Sequence, residues 1–401
     1  MLTKNRNIYY IIWLLIISLF TNSCVEPFDI KTEVFESAIV IEGTITNEFK
    51  HQKIKLTRTF RFEEAFPLAE SNADVKIIDD SQNTYNFEES VLNGNYISVS
   101  KFSAEPNTTY QLQITTSDGR LYSSEPAQLT NNTEIDDVYA VRETSNLGVD
   151  HMAIFVDSFD PTGKSVYYRY EYEETYKIIA PFWSNKDVII TNPREEFDVV
   201  QRTQQDRLCY NTVYSNTIIQ TQTNGFTEDR VTRFPVRLIS RENFIISYRY
   251  SILIKQYVQS LAAHTFYRIL NDLSSSESLL SQNQPGFLEG NVFSIESSDE
   301  KVLGFFEVSS VSSKRIFFNY KDFFPNESLP PYTNNCILVS PPISLIGGAT
   351  PLFEAVSART HTFWDFNVSP GPGEGPYIMV PVECGDCTAL GEITVPDFWI
   401  E

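Results

Sequence analysis

Histidine is scarce in this chain. Only His51, His151, His264 and His361 occur among 401 residues, so few side chains can move protons near neutral pH. Absent as well are a Gly-x-Ser-x-Gly elbow, a His-Glu-x-x-His pair, a phosphate loop after a strand and the glycine fingerprint of dinucleotide sites. The usual hydrolase, metalloprotease and nucleotide chemistries therefore leave no trace here. Basic residues are also short: 31 Lys and Arg face 52 Asp and Glu, for a formal charge of −21. That balance argues against nucleic acid, whose phosphates demand a basic surface, and against docking on anionic lipid through a polybasic patch. It reads as a solvated, self-repelling surface. A membrane-spanning run is missing too, because the apolar stretch 8–20 falls short of the roughly 20 residues a spanning helix needs.

What that stretch does resemble is a secretory signal. Lys4 and Arg6 precede it, and Thr21-Asn22-Ser23-Cys24 closes it with a small residue before a cysteine. A cysteine at the cut site points to a lipoprotein signal over residues 1–23, with Cys24 taking a diacylglycerol and becoming the first mature residue. Thr21 stands where a bacterial lipobox usually has Leu, and ordinary secretory cleavage near Ser23 is the alternative. Removing residues 1–23 takes away two positive charges and no acid, so −21 becomes −23. Residues 24–36, with Glu26, Asp29, Glu33 and Glu36, form an acidic tether.

Four cysteines remain: Cys209, Cys336, Cys384 and Cys387. In an exported protein disulfides are the default, and four cysteines allow three pairings. The preferred pairing ties Cys384 and Cys387 back to Cys209 and Cys336, because long loops gain more from cross-linking; the rival is a local Cys384–Cys387 bond. A zinc site is disfavoured, since a second Cys-x-x-Cys is lacking and no histidine stands at ligand spacing.

Aromatic content of 13%, with plentiful Thr, Val and Ile, favours sheet over helix, and the length suggests two or three domains. Over residues 37–128, period-two stretches at 38–45, 53–58, 75–77, 85–87, 96–99, 110–114 and 120–124 alternate with turns at Asn93-Gly94, Glu105-Pro106-Asn107 and Asp118-Gly119. This predicts an N-terminal immunoglobulin- or fibronectin-like β-sandwich. The segment Pro106-Asn107-Thr108-Thr109-Tyr110 resembles the tyrosine corner of such domains, with the Tyr110 ring in the core and its hydroxyl holding the adjoining loop. After a polar linker at 128–136, residues 129–401 read as a larger β-rich domain. Its densest aromatic run, 166–176, carries Tyr168, Tyr170 and Tyr172. These, with Trp364 and Trp399, are candidate contacts for a ligand or partner, although cross-strand packing in a second sandwich is the commoner use of such a row. One amphipathic helix is expected over about 250–273, with Leu253, Tyr257, Leu261, Thr265 and Ile269 on one stripe, stopped by Pro285-Gly286. The tail beyond Pro325 shows too little pattern for regular structure, and its Pro- and Gly-rich segment 370–376 reads as an exposed loop.

Catalytic constellations are thin. His264 reads as a buried, hydrogen-bonded histidine beside the helix stripe. His361 has Asp365 near it but no evident nucleophile or oxyanion site. The acidic doublets, such as Asp79-Asp80 and Glu173-Glu174, point to opposite faces of a strand and do not make a glycosidase pair. Structural calcium at Asp79/Asp80 or Asp157/Asp160 is the alternative to solvated surface, which is preferred. No metal or cofactor is expected beyond the acyl anchor.

Read in order, several segments resemble a family of Bacteroidota outer-membrane lipoproteins catalogued as a domain of unknown function. They are Cys24-Val25-Glu26-Pro27, Ile39-Val40-Ile41-Glu42-Gly43-Thr44-Ile45-Thr46, Gln259-Ser260-Leu261-Ala262-Ala263-His264-Thr265-Phe266-Tyr267, Pro285-Gly286-Phe287-Leu288-Glu289-Gly290-Asn291-Val292, Val302-Leu303-Gly304-Phe305-Phe306-Glu307-Val308-Ser309, Cys384-Gly385-Asp386-Cys387-Thr388 and Pro396-Asp397-Phe398-Trp399. Cys209-Tyr210 departs from the expected Cys-Trp. The resemblance implies a companion of TonB-dependent transporters: a non-enzymatic accessory lipoprotein, lipid-anchored in the outer membrane, with a β-barrel protein as partner. Glu26 and Asp29 close behind Cys24 favour the cell surface. A surface structural or adhesion lipoprotein, and a hydrolase with a site in the C-terminal half, are the alternatives.

Overall fold

Alternation of apolar and polar residues builds most of this molecule. In the computed structural model, which describes residues 37–60, 66–91, 93–192, 196–275, 288–345, 348 and 350–401, the strand Thr109–Thr115 buries every second side chain without exception. Residues Ala38–Thr59 and Pro67–Glu401 fold as one unit. In chain order the strands are β1 (Ile39–Thr46), β2 (Lys53–Arg58), β3 (Leu68–Ala69), β4 (Asp74–Asp79), β5 (Thr84–Glu89), β6 (Asn95–Ser98), β7 (Thr109–Thr115), β8 (Leu121–Ser124) and β9 (Ala127–Gln128). Next come β10 (Ile135–Thr144), β11 (Asp150–Asp160), β12 (Tyr167–Ile179), β13 (Lys186–Asn192), β14 (Glu196–Gln201), β15 (Leu208–Tyr214), β16 (Ile219–Gln222), β17 (Asp229–Ser240) and β18 (Arg249–Val258). Helix α1 (Leu261–Ser275) precedes β19 (Val292–Ser294), β20 (Val302–Ser309) and β21 (Val311–Asn319). Then follow α2 (Tyr320–Phe323), α3 (Pro351–Ser357), β22 (His361–Phe366), β23 (Tyr377–Pro381) and α4 (Val382–Gly385).

The protein is mainly β, as its composition implies. The first sheet runs β19-β8-β7-β4-β5-β6-β2-β1-β20, with β3 and β9 attached to β2 and β7. It wraps a core that includes Ile41, Leu56, Ile77, Tyr96, Leu112 and Phe306. Tyr110 is buried there, and its hydroxyl accepts the backbone N–H of Glu105 at 2.9 Å, which pins the preceding loop. The sheet does not end at residue 128. β19 pairs with β8, and β20 pairs in parallel with β1, Ile39 opposite Val302 and Thr46 opposite Ser309. Local turn signals cannot foretell a partner more than 250 residues away, and every other paired strand among the described residues runs antiparallel.

The second core lies between two sheets, β10-β11-β17 and β15-β12-β18-β21, with β16 on β12. Met152, Ile154 and Val156 of the one pack with Tyr168, Tyr170, Tyr250, Ile252 and Ile254 of the other. The helix expected over 250–273 is therefore corrected. Its first half is β18, the central strand between β12 and β21, and only Leu261–Ser275 is helical. Tyr250, Ile252, Ile254 and Val258 face the core at period two, and a run this rich in β-branched and aromatic residues satisfies either period on paper. What separates the two is Ser260, whose Oγ accepts the N–H of Ala263 at 3.1 Å and caps the helix start. Leu261, assigned to the buried stripe, is 60% exposed; Ala263, His264 and Phe266 are buried instead.

The tail beyond Pro325 also departs from expectation. It forms α3, α4 and the β22–β23 hairpin, which packs with β13 and β14 around Val188, Leu352, Phe363 and Met379. Two disulfides, Cys209–Cys387 and Cys336–Cys384, hold it. This is the preferred long-range pairing, and the bonds act together with that apolar cluster in ordering the tail.

Candidate functional site

Where the first sheet closes on itself, a cavity of about 520 Å³ opens, within the usual range for small-ligand sites. Its floor is β20, from Phe305 to Val308, and its walls come from Glu125 to Gln128, from Asn291 and from the start of α1 at Ser260 and Ala262. The closure is made by one side chain. Asn291 Nδ2 donates to the carbonyl of Phe306 at 2.8 Å, while its Oδ1 accepts the N–H of Phe306 at 2.7 Å. The amide thus stands in for a strand partner along the open edge of β20. Gly290 and Gly304 permit this approach: a Cβ on Gly290 would sit 1.6 Å from the carbonyl oxygen of Gly304. Gly304 itself has φ +124°, where side-chain-bearing residues are strained.

Along β20 backbone groups point alternately to the two sides. Phe306 spends both of its groups on Asn291, so those of Val308 face the same way, toward Pro126 to Gln128. The cavity therefore combines main-chain groups with polar side chains. Gln128 Nε2 donates to Thr109 Oγ1 at 2.8 Å across its wall.

Beneath the floor lies a buried ionic cluster. Arg169 of β12 donates from Nη2 to Glu307 Oε2 at 3.3 Å and pairs through Nη1 with Glu171. Its guanidinium lies over the rings of Tyr257 (4.4 Å) and Tyr267 (5.0 Å), a cation–π arrangement. The hydroxyl of Tyr257 donates to Glu171 Oε2 at 2.9 Å. Burial raises the Glu307 carboxyl above its ordinary range, and Arg169 opposes that rise. Two carboxylates around one guanidinium join β20 of the first sheet to β12 of the second.

The residues marked from the sequence fall in several places. Tyr168 and Tyr170 are fully buried and are corrected as contact residues: their hydroxyls donate inward, to Asp229 Oδ1 at 2.9 Å and Gln256 Oε1 at 3.1 Å. Tyr172 is partly buried against the same core, with Arg237 over its ring. Trp364 meets Phe182 edge-on at 5.5 Å, and Trp399 meets Tyr210 at 4.9 Å. At Cys209-Tyr210, then, the aromatic contact is supplied by a tryptophan from the tail. The five aromatics do not converge on one place. Cys209, Cys336, Cys384 and Cys387 are all in disulfides, and Cys24 lies outside the described residues.

His264 is buried, its ring tilted against that of Tyr167 at 4.9 Å and bonded through Nδ1 to Gln220, with burial lowering its pKa. His361 shares a hydrogen bond with Thr360 Oγ1 at 3.1 Å, whereas Asp365 accepts the N–H of Phe366 at 2.8 Å. Two of the acids weighed for calcium, Asp79 and Asp160, close turns, while Asp157 accepts from Arg233 and Tyr139 on neighbouring strands. Asp160 accepts the N–H groups of Thr162, Lys164 and Ser165, and Asp79 accepts both the backbone and side-chain N–H of Asn83. In the sequence Asn291 has no role of its own within the segment from Pro285 to Val292. A lone Gly-Asn before a short strand reads as a turn, and the only further signal was a second isolated glycine at position 304.

Fold and cross-links define the class first: a mainly β body whose two main cores are assembled from distant segments and whose C-terminal tail is held by two disulfides. Within that class, the chain belongs to the family described as a domain of unknown function (DUF4249), matched over residues 25–315. No curated protein matches it.

Proposed function

We propose that this protein is a lipid-anchored accessory protein of the outer membrane that works by binding, holding a substrate or partner at a TonB-dependent transporter. One observation carries the reading. Both disulfides draw on Cys209, Cys336, Cys384 and Cys387, which suits an oxidising compartment outside the cytoplasm and leaves Cys24 as the odd cysteine of the five. The family match begins at residue 25, directly after it. An anchored body with a small-ligand cavity at its sheet closure fits capture and hand-over. The test is crosslinking on intact cells followed by mass spectrometry of the tagged chain. A diacylglyceryl-modified Cys24 peptide and recovery of a large β-barrel protein are expected. An unmodified Cys24 would sink the anchoring. Recovery of no barrel, with altered surface attachment in a deletion strain, would turn the reading to adhesion.

A further inference from the structure

Cations gather at one end of β12 in a chain dominated by acids. The register pairs Lys177 with Tyr210 on β15 and Arg249 with Asn319 on β21. One step beyond the Tyr176–Tyr250 pair, Lys177 and Arg249 stand side by side on adjacent strands. Because Tyr176, Ile178 and Tyr250 point into the core, these two cations point outward. Lys321, on α2 just after β21, joins them around a cleft of about 390 Å³ whose apolar wall includes Ile179, Tyr248 and Leu329. A smaller pocket of about 180 Å³ continues it toward Tyr332.

Like charges opposite one another across a strand pair are destabilising, and the body of the protein does not neutralise these. Among the described residues Arg249 bonds the carbonyl of Ile400 and, at 3.3 Å, Asn319 Oδ1. Lys321 Nζ donates to the carbonyl of Glu327 at 2.6 Å. Neither makes an ion pair there. Among the described residues that line the cleft, Glu401 brings the one carboxylate side chain; both of its oxygens accept from Lys177 Nζ at 2.9 Å, and Oε1 also accepts from the Tyr210 hydroxyl at 3.4 Å. It arrives on a strap: Glu392 bridges to Tyr210, Phe398 lies under Arg315 at 3.5 Å, and Trp399 packs on Tyr210. The Glu401 side chain remains 63% exposed, so little buried surface holds it in place.

We propose that this cleft binds an organic carboxylate with an apolar body, and that Glu401 occupies the head-group position as an intramolecular competitor. The ammonium of Lys177 and the fork of Arg249 take the carboxylate, and Ile179, Tyr248 and Leu329 take the body. This site is separate from the seam cavity and does not depend on membrane anchoring.

Isothermal titration of the purified chain tests it, with indole-3-acetate, phenylacetate and octanoate as probes, neutral indole-3-acetamide as control and inorganic phosphate as a bare anion. With Glu401 in place most of the time, Glu401→Gln should bind at least one carboxylate about 5- to 10-fold more tightly than the unaltered chain. Adding Lys177→Met or, separately, Arg249→Gln should abolish that gain, with circular dichroism unchanged. The proposal is overturned if no carboxylate binds Glu401→Gln, if its affinity equals that of the unaltered chain, or if the acetamide or phosphate alone binds as well.

Discussion

Asn291 shows how much one side chain decides at the seam. Its amide satisfies both backbone groups of Phe306, buried beside Gly290 and Gly304. Asn291→Ala leaves that donor and acceptor without their partner, at a cost of about 1–3 kcal/mol for unsatisfied buried groups. Urea denaturation should show a lower midpoint with an unchanged slope. Asn291→Asp should recover only part of the loss, because a carboxylate can accept from the Phe306 N–H but cannot donate to its carbonyl. Equal stability of Asn291→Ala and the unaltered chain would mean that β20 holds its edge without the clasp. At this scale the sequence was partly legible. Tyr110 could be placed because its role is local, five residues from the N–H it holds. Asn291 could not, because its partner is set by the closure of a sheet. Lys177 drew no reading from the sequence, since its neighbour Arg249 and its counter-ion Glu401 come from elsewhere.

Elements were readable wherever one period prevailed. β7 alternates cleanly and so announces itself. β18 did not, because Tyr250, Ile252, Leu253, Ile254, Tyr257 and Val258 satisfy both the helical and the extended pattern, and pairing on both sides with β12 and β21 decides the matter. The tail elements had no usable pattern, and their order comes from packing against β13 and β14 together with covalent links. Those links differ in reach: Cys209–Cys387 closes 178 residues and Cys336–Cys384 closes 48. Each should contribute about 2–5 kcal/mol. On the chain-entropy account the longer loop gains about 1 kcal/mol more, through the logarithm of loop length. Paired substitution of Cys209 and Cys387 by Ala should therefore lower stability more than the same change at Cys336 and Cys384, measured by guanidinium unfolding. The reverse order would show that native packing around the tail, rather than restriction of the unfolded chain, sets the contribution.

Across the whole molecule the cores share an unusual chemistry: tyrosines whose rings are buried, or in the case of Tyr85 partly buried, and whose hydroxyls donate to carboxylates. Tyr168 reaches Asp229, Tyr250 reaches Glu174 at 2.6 Å, Tyr122 reaches Glu300 at 2.7 Å and Tyr85 reaches Asp79 at 3.2 Å. Burial first, and the neighbouring carboxylate second, push Tyr122 and Tyr85 up to about 12 and the others well above the ordinary value of 10. The folded chain thus keeps these protons at pH values where the unfolded chain has released them. Between pH 10 and 12 the unfolded state binds fewer protons, so stability falls as pH rises. The contribution is complete below pH 10 and is lost as pH climbs through the folded values. Each tyrosine held in this way steepens the decline by at most about 1.4 kcal/mol per pH unit. Absorbance at 295 nm should accordingly show a first group of tyrosines titrating near pH 10, then a cooperative step that coincides with loss of the sheet signal in circular dichroism. Tyr250→Phe should flatten the fall in denaturation midpoint between pH 10 and 11.5, because it removes one retained proton together with its charged partner's influence. A single smooth titration of all the tyrosines near pH 10, with the sheet intact, would contradict the buried tyrosine–carboxylate pairs of both cores.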